Sequence, residues 1–288
     1  MSFFSDISAI QNIVYIFSSI LFISGIKMLG NEDTAVRGNF LSASAMFIAV
    51  AVTIINVVNP VIVLIGVSIG AVIGSLIALR VKMTSIPEMV ALFNGFGGLA
   101  TFFIAWSEFN AIPDNVFQFI VIMLTTYIGG VTFSGSIIAY GKLSEKLKVK
   151  KDSFVTKIFT TFFYASILFL VYSIGFTEII ELPINFYTVL LILTLLGGIG
   201  FVIPIGGGDM PVVISLLNSF SGIAAAFAGL LLLNNVLIVA GSLVGASGLI
   251  LTIIMAKAMN RSIGNILFVG YASSSSSSGS QETGEVKP

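Results

Sequence analysis

The sequence predicts an all-α membrane protein: a nine-helix transmembrane bundle with its N-terminus outside and its C-terminus inside. Three observations carry this. The 288 residues are 57% hydrophobic and only 9% charged, with mean hydropathy +1.09. Soluble domains carry roughly 25% charge, so this chain cannot cover a globule with polar groups. Its apolar residues also come in runs matching the about 20 residues that a bilayer crossing needs. Finally, its charges sort onto alternate loops. The composition excludes a soluble enzyme, and 13 basic against 13 acidic residues exclude a nucleic-acid binder. The absence of cysteine excludes a disulfide scaffold, thiol catalysis and cysteine-based metal sites. The absence of histidine removes the commonest metal ligand and the side chain most easily titrated near neutral pH.

The first span covers residues 7–28. It is too long for a signal-peptide core and no small-residue cleavage site follows, so it is expected to be retained. The second covers 40–58. The third, 61–79, carries Gly66, Gly70 and Gly74 at intervals of four, a tandem small-residue face for close helix approach. The fourth, 89–106, follows Glu88 and contains Asn94. The fifth, 116–140, holds Thr125, Thr126, Thr132, Ser134 and Ser136, with Gly129, Gly130 and Gly135 loosening it. The sixth covers 154–174 and the seventh 186–203. Gly198 and Gly200 in the seventh lack the third glycine and the βαβ setting of a dinucleotide fingerprint. The eighth, 211–232, follows Gly206-Gly207-Gly208-Asp209-Met210-Pro211. Three glycines make a flexible turn, Asp209 falls near the N-cap, and Pro211 falls in the first turn. That turn serves either as a cap or as a contact for a soluble partner. The ninth, 236–259, repeats small residues at Gly241 and Gly245 and adds Ser242, Ser247 and Thr252. Alternating β-barrel strands of about 10 residues do not fit runs this long and continuously apolar.

Numbering the loops alternately puts all thirteen basic residues on one side, from Lys27 and Arg37 through Lys257, Arg261 and Lys287. The other side holds Asp6, Glu108, Asp114, Glu178 and Glu181 and no Lys or Arg. The positive-inside rule then sets the orientation. The basic stretch 142–151 is an ordinary cytoplasmic retention signal or a docking site. Residues 1–271 form the membrane domain. Residues 272–288, with six consecutive serines, have too little apolar content to fold and are expected to be a disordered linker.

Ionisable groups inside a membrane mark ion paths because they are costly, at about 2.5–3.5 kcal/mol each on insertion scales. The helix middles here contain none. Glu88 and Asp209 sit at the inner ends of the fourth and eighth helices. At a rise of about 1.5 Å per residue, Asn94 and Asn218 fall near mid-depth. Ser215, Ser219 and Ser221 cluster around Asn218. An amide both donates and accepts hydrogen bonds, so these groups suit a gated proton or water path; interhelical hydrogen bonding is the plainer use. Two other readings compete. A secondary transporter would need a strongly polar midplane pocket and repeat symmetry, and neither is evident. A structural anchor would be indifferent to loss of the two amides.

Four strings add a family resemblance. They are Lys82-Met-Thr-Ser-Ile-Pro-Glu-Met-Val-Ala-Leu-Phe-Asn-Gly-Phe-Gly97, Gly130-Val-Thr-Phe-Ser-Gly-Ser-Ile-Ile-Ala-Tyr-Gly-Lys142, Gly206-Gly-Gly-Asp-Met-Pro-Val-Val-Ile-Ser-Leu-Leu-Asn-Ser-Phe-Ser-Gly222 and Ala256-Lys-Ala-Met-Asn-Arg-Ser262. Together they resemble the β subunit of proton-translocating NAD(P) transhydrogenase over residues 7–271. The resemblance implies a membrane subunit that couples inward proton movement to hydride transfer between NADH and NADP. The NAD(H) site would lie on an α subunit, and the NADP(H) site on a domain beyond the tail. This chain alone would then hold no catalytic residue, no metal and neither cofactor. The expected partners are the α subunit with its membrane helices, the NADP(H)-binding domain and the bilayer, assembled as a dimer of αβ units. A bacterial inner membrane is the expected location, with an organelle membrane as the alternative.

Residue by residue, the resemblance makes Asn94 a channel position where some members carry histidine, and Asn218 the channel asparagine of the eighth helix. The expected proton path is Asn94, Asn218, Ser215, Ser242, Ser247 and Glu88. Asp209, Arg261 and Lys257 are expected to communicate with the NADP(H) domain. Gly66, Gly70, Gly74, Gly241, Gly245 and Gly248 are expected to pack helices.

Overall fold

The computed structural model describes residues 2–55, 57, 59–111, 115–149, 153–175, 184–264 and 266, with backbone alone for 2–8, 184 and 185. The expected linker 272–288, and among the charges Asp114, Lys150, Lys151, Glu178, Glu181, Lys287 and the Asp6 side chain, lie outside the described residues. The described residues form nine α-helices and no strand: α1 (Ser2–Leu29), α2 (Glu32–Ile55), α3 (Pro60–Arg80), α4 (Ile86–Asn110), α5 (Val116–Leu143), α6 (Phe154–Gly175), α7 (Ile184–Val202), α8 (Met210–Leu231) and α9 (Asn235–Ala258). Eight are long and apolar enough to cross a membrane, and Phe186–Val202 forms a shorter apolar stretch on α7. The chain is an integral membrane protein by these lengths and compositions.

Helix ends follow local chemistry. The second helix begins eight residues before the apolar run, at Glu32, because Glu32 and Asp33 in its first turn complement the helix dipole. Asn115 and Asn234 cap α5 and α9 by accepting from the backbone N–H groups of Gln118 (2.8 Å) and Leu237 (3.0 Å). Between α8 and α9 the chain turns through Leu233, whose φ of 51° is left-handed backbone. The Asn234 N–H closes that turn on the Gly229 carbonyl at 2.8 Å. The Leu233 side chain is 86% exposed, so little packing offsets its backbone cost. Leu233→Gly is expected to raise unfolding stability by roughly 0.5–1 kcal/mol, since glycine adopts this conformation freely. Thermal unfolding in detergent measures it, and a lowered Tm would contradict the assignment.

The helices pair as α1–α2, α4–α5, α6–α7 and α8–α9. At the centre, α5 touches α4, α6, α7 and α8, and fourteen of its residues are buried. Lipid is as apolar as the helix surfaces, so close packing and interhelical hydrogen bonds hold such a bundle. Glycines set the approach. A Cβ on Gly98 of α4 would sit 2.9 Å from the Gly129 carbonyl of α5, and one on Gly248 of α9 would sit 2.9 Å from the Ser219 Cα of α8. Two apolar cores result. One, around Ala139, Val202, Met210, Val213, Leu217 and Ala256, lies at the end of the bundle that carries the basic residues. The other, around Phe109, Phe119, Met123, Tyr187 and Leu190, lies at the opposite end.

The third helix stands apart. None of its residues is buried, and nothing lies within 4 Å of a Cβ built on Gly66, Gly70 or Gly74. Among the described residues the stripe is in close contact with no helix; Gly70 and Gly74 face Phe93 and Phe96 of α4 across a cavity of about 460 Å³.

Candidate functional site

Asn94 sits next to Gly95 and one turn from Gly98, the residues that let α4 approach α5. A Cβ on Gly95 would lie 3.1 Å from the Ser136 Cβ. At that separation the Asn94 amide nitrogen donates to Ser136 Oγ at 2.9 Å. On its other side, Ser221 Oγ of α8 donates to Asn94 Oδ1 at 2.7 Å. One hydrogen-bonded chain therefore crosses α5, α4 and α8, between the two apolar cores. Ser136 is 1% exposed, whereas Asn94 and Ser221 are half-buried.

Two features let this chain switch. A hydroxyl carries one proton, yet Ser221 Oγ also lies 2.9 Å from the carbonyl of Asn218 on its own helix. Rotation of that O–H moves the proton between the two acceptors. Thr132, one turn along α5 from Ser136, is fully buried and its hydroxyl has no partner among the described residues. Its hydrogen-bonding capacity is unspent beside the chain. Each of these groups is neutral and both donates and accepts, so the set can hold a file of hydrogen-bonded water without storing a buried charge.

A second cluster lies at the basic end. Arg261 Nη1 meets Asp209 Oδ2 at 3.0 Å. Asp209 occupies the N-cap position of α8 after a 3-10 turn, Gly207–Asp209, but its carboxylate makes no cap hydrogen bond and serves Arg261 instead. Beside the pair, a cavity of about 500 Å³ is lined by Ile253, Ala256, Lys257, Asn260, Arg261 and Ile263.

Other expected site residues fall elsewhere. Ser215 is buried in the α8–α9 contact, where it donates to the Gly248 carbonyl (3.3 Å) and accepts from Thr252 (3.1 Å). Ser242 and Ser247 lie on the exposed face of α9, and Ser247 donates to the Val244 carbonyl of its own helix at 3.1 Å. They do not join the Asn94 chain, because Gly241, Gly245 and Gly248 define the face of α9 turned to α8. Asn218 is half-buried one turn from Ser221 and contributes its carbonyl. Glu88 is half-buried in the first turn of α4. Gly198 and Gly200 are helix-crossing residues: added Cβ atoms would strike Val131 of α5 and the Phe159 carbonyl of α6. They are not placed to cradle a dinucleotide.

Sequence reasoning did not single out three groups. Ser136 and Ser221 were two hydroxyls among many, and nothing in one sequence shows which of them face Asn94. Lys142 was a loop charge. In the structure its ammonium donates to the carbonyls of Val202 (3.2 Å), Ile203 (2.5 Å) and Ile205 (2.5 Å), capping α7 from α5.

The family described as NAD(P) transhydrogenase beta subunit matches residues 11–288. The chain is 37% identical over 271 residues to the NAD(P) transhydrogenase subunit beta of Rhodospirillum rubrum, and equally to that of a named strain of the organism. These alignments cover 90% of this chain and 58% of each relative. The chain thus spans a little over half the length of the curated relatives it matches.

Proposed function

This chain belongs to the NAD(P) transhydrogenase beta subunit family, and from that premise we propose that it is the proton-conducting membrane part of a proton-translocating transhydrogenase. The observation that carries this reading is the hydrogen-bonded chain Ser136–Asn94–Ser221, set between two apolar cores. Protons pass along water that the amide and the two hydroxyls hold in line, and these groups themselves stay neutral. The Ser221 hydroxyl gates it by pointing either to Asn94 or to the Asn218 carbonyl. Thr132 extends the polar column along α5, and Glu88 stands at the basic-end mouth of α4.

Coupling requires each site to prefer one of two states. Asp209 and Arg261 lie where the first residues of α8 meet the segment leaving α9, so a change in the packing of α8 reaches that segment. Hydride exchange between NADH and NADP belongs to nucleotide-binding domains outside residues 1–271, one on an α subunit and one attached beyond the tail. The proposed assembly is a dimer of αβ units in a bacterial inner membrane. The gathering of basic residues at one end supports an inside C-terminus.

The test is Asn94→Leu in the assembled αβ enzyme, reconstituted in vesicles. Proton uptake and forward transhydrogenation are expected to fall together by several-fold, because leucine cuts the chain at its middle. Asn94→Gln keeps an amide and is expected to retain more of both. Wild-type rates in the leucine variant would refute the path.

A further inference from the structure

Helix α9 ends in a backbone reversal centred on Asn260. Its last helical residue is Ala258 and Met259 follows with φ −83° and ψ 4°. Asn260 then takes φ 54°, in the left-handed region. The Asn260 N–H donates to the Lys257 carbonyl at 2.9 Å, and the Arg261 N–H reaches back to the Ala256 carbonyl at 3.0 Å. This is the paired closure of a Schellman turn, usually made by glycine and sometimes by asparagine. The Asn260 amide makes no side-chain hydrogen bond among the described residues, so its contribution is its backbone.

The reversal decides where the chain goes next. Continuing along the axis of α9 would carry Arg261 away from α8. Reversed, Arg261 reaches Asp209 at the start of α8. Five residues later Ile266 is buried in the same apolar core as Met210, Val213 and Ala256, and Ile263 packs against that core. The Ile266 N–H closes a helical turn on the Ser262 carbonyl at 3.1 Å. The exit segment therefore lies across the first residues of α8, fixed by an ion pair and an apolar plug.

We infer that Asn260 is a positioning residue: its left-handed backbone seats the exit segment on α8, so that movement of α8 is transmitted to whatever follows the segment. The inference rests on the functional reading above for what is transmitted, but the seating itself is a property of this chain. A β-branched residue at φ 54° is strongly disfavoured, whereas glycine is at ease there.

The experiment uses the assembled enzyme with a nitroxide on Gly264→Cys, an exposed position in a chain with no native cysteine. Asn260→Gly is expected to keep both an immobilised label and wild-type proton-linked transhydrogenation. Asn260→Val is expected to mobilise the label and lower the coupled rate by roughly five- to thirty-fold. Asn260→Ala replaces it if the valine variant does not assemble, with the same direction of change. An immobile label in the valine or alanine variant overturns the proposal, as does a mobile label with an unchanged rate. Equal impairment of the glycine variant also overturns it, because the side chain would then matter rather than the backbone. Absence of proton-linked transhydrogenation from the unmutated assembly would instead defeat the functional reading, and the label would still report on the turn.

Discussion

Gly222→Val is expected to abolish recovery of folded protein. A Cβ at Gly222 would lie 2.8 Å from the Gly245 Cα and 3.0 Å from the Gly241 carbonyl. Those are backbone atoms of α9, not the ends of flexible side chains, so relief requires the whole helix to move outward. That movement breaks the bonds which the close approach permits: Ser219 Oγ to the Gly245 carbonyl at 2.6 Å, and Ser215 Oγ to the Gly248 carbonyl at 3.3 Å. Overpacking alone costs about 1–3 kcal/mol. The lost hydrogen bonds bring the total to about 3–5 kcal/mol, a large part of an ordinary folding free energy. The measurement is the yield and Tm of monodisperse protein in mild detergent. Gly66→Val is the matched control, because it faces open space in this chain. Equal yield and Tm for both variants would contradict the α8–α9 packing.

That contrast shows what one sequence makes legible. Hydropathy placed nine helices because a membrane-spanning run needs only length and apolar character, both local properties. A stripe of small residues states that close approach is possible; it does not name the partner. The stripes on α3 and α9 look alike in sequence, yet among the described residues the second alone closes on a helix, since Gly222 on α8 provides the matching gap. The same ambiguity hides that Ser242 and Ser247 lie on the exposed face of α9. Which face of α9 turns inward depends on α8, and composition cannot supply that rotation. Asn94 was legible as an amide in an apolar run. Its partners Ser136 and Ser221 were not, because the first depends on the Gly98–Gly129 crossing of α4 with α5 and the second on the contact of α4 with α8. The ion pair Asp209–Arg261 joins two positions expected at one end of the bundle for a shared role. Asn260 carried a readable signal, an asparagine just past a helix end, but only the fold-back of Ile263 and Ile266 gives that signal a consequence.

Lys142→Met is expected to loosen the basic end of the bundle and, with it, the approach to α8. The last carbonyls of a helix have no partner within it. At the end of α7 and in the turn that follows, Val202, Ile203 and Ile205 are buried away from water; the Val202 carbonyl accepts the Ile205 N–H at 3.1 Å, whereas those of Ile203 and Ile205 meet no backbone donor among the described residues. Lys142 donates to all three carbonyls from the last turn of α5, supplies the missing partner of the latter two, and places a positive charge at the negative end of the α7 dipole. Methionine keeps a similar stem and removes the donors. The carbonyls of Ile203 and Ile205 are left without a partner at about 1–3 kcal/mol each; with some relaxation, a loss of about 2–4 kcal/mol is expected. Arginine retains charge and donors on a longer, planar head and should recover part of it. The damage should also travel, because the turn from Ile203 to Asp209 connects α7 to α8 and carries the carboxylate that holds Arg261. Thermal unfolding of the purified chain reads the first effect. The nitroxide at Gly264→Cys reads the second, as a more mobile label in the methionine variant than in the arginine one. Unchanged Tm and label mobility in Lys142→Met would mean that α7 ends securely without this ammonium, and that the α7–α8 turn is held by its apolar contacts alone.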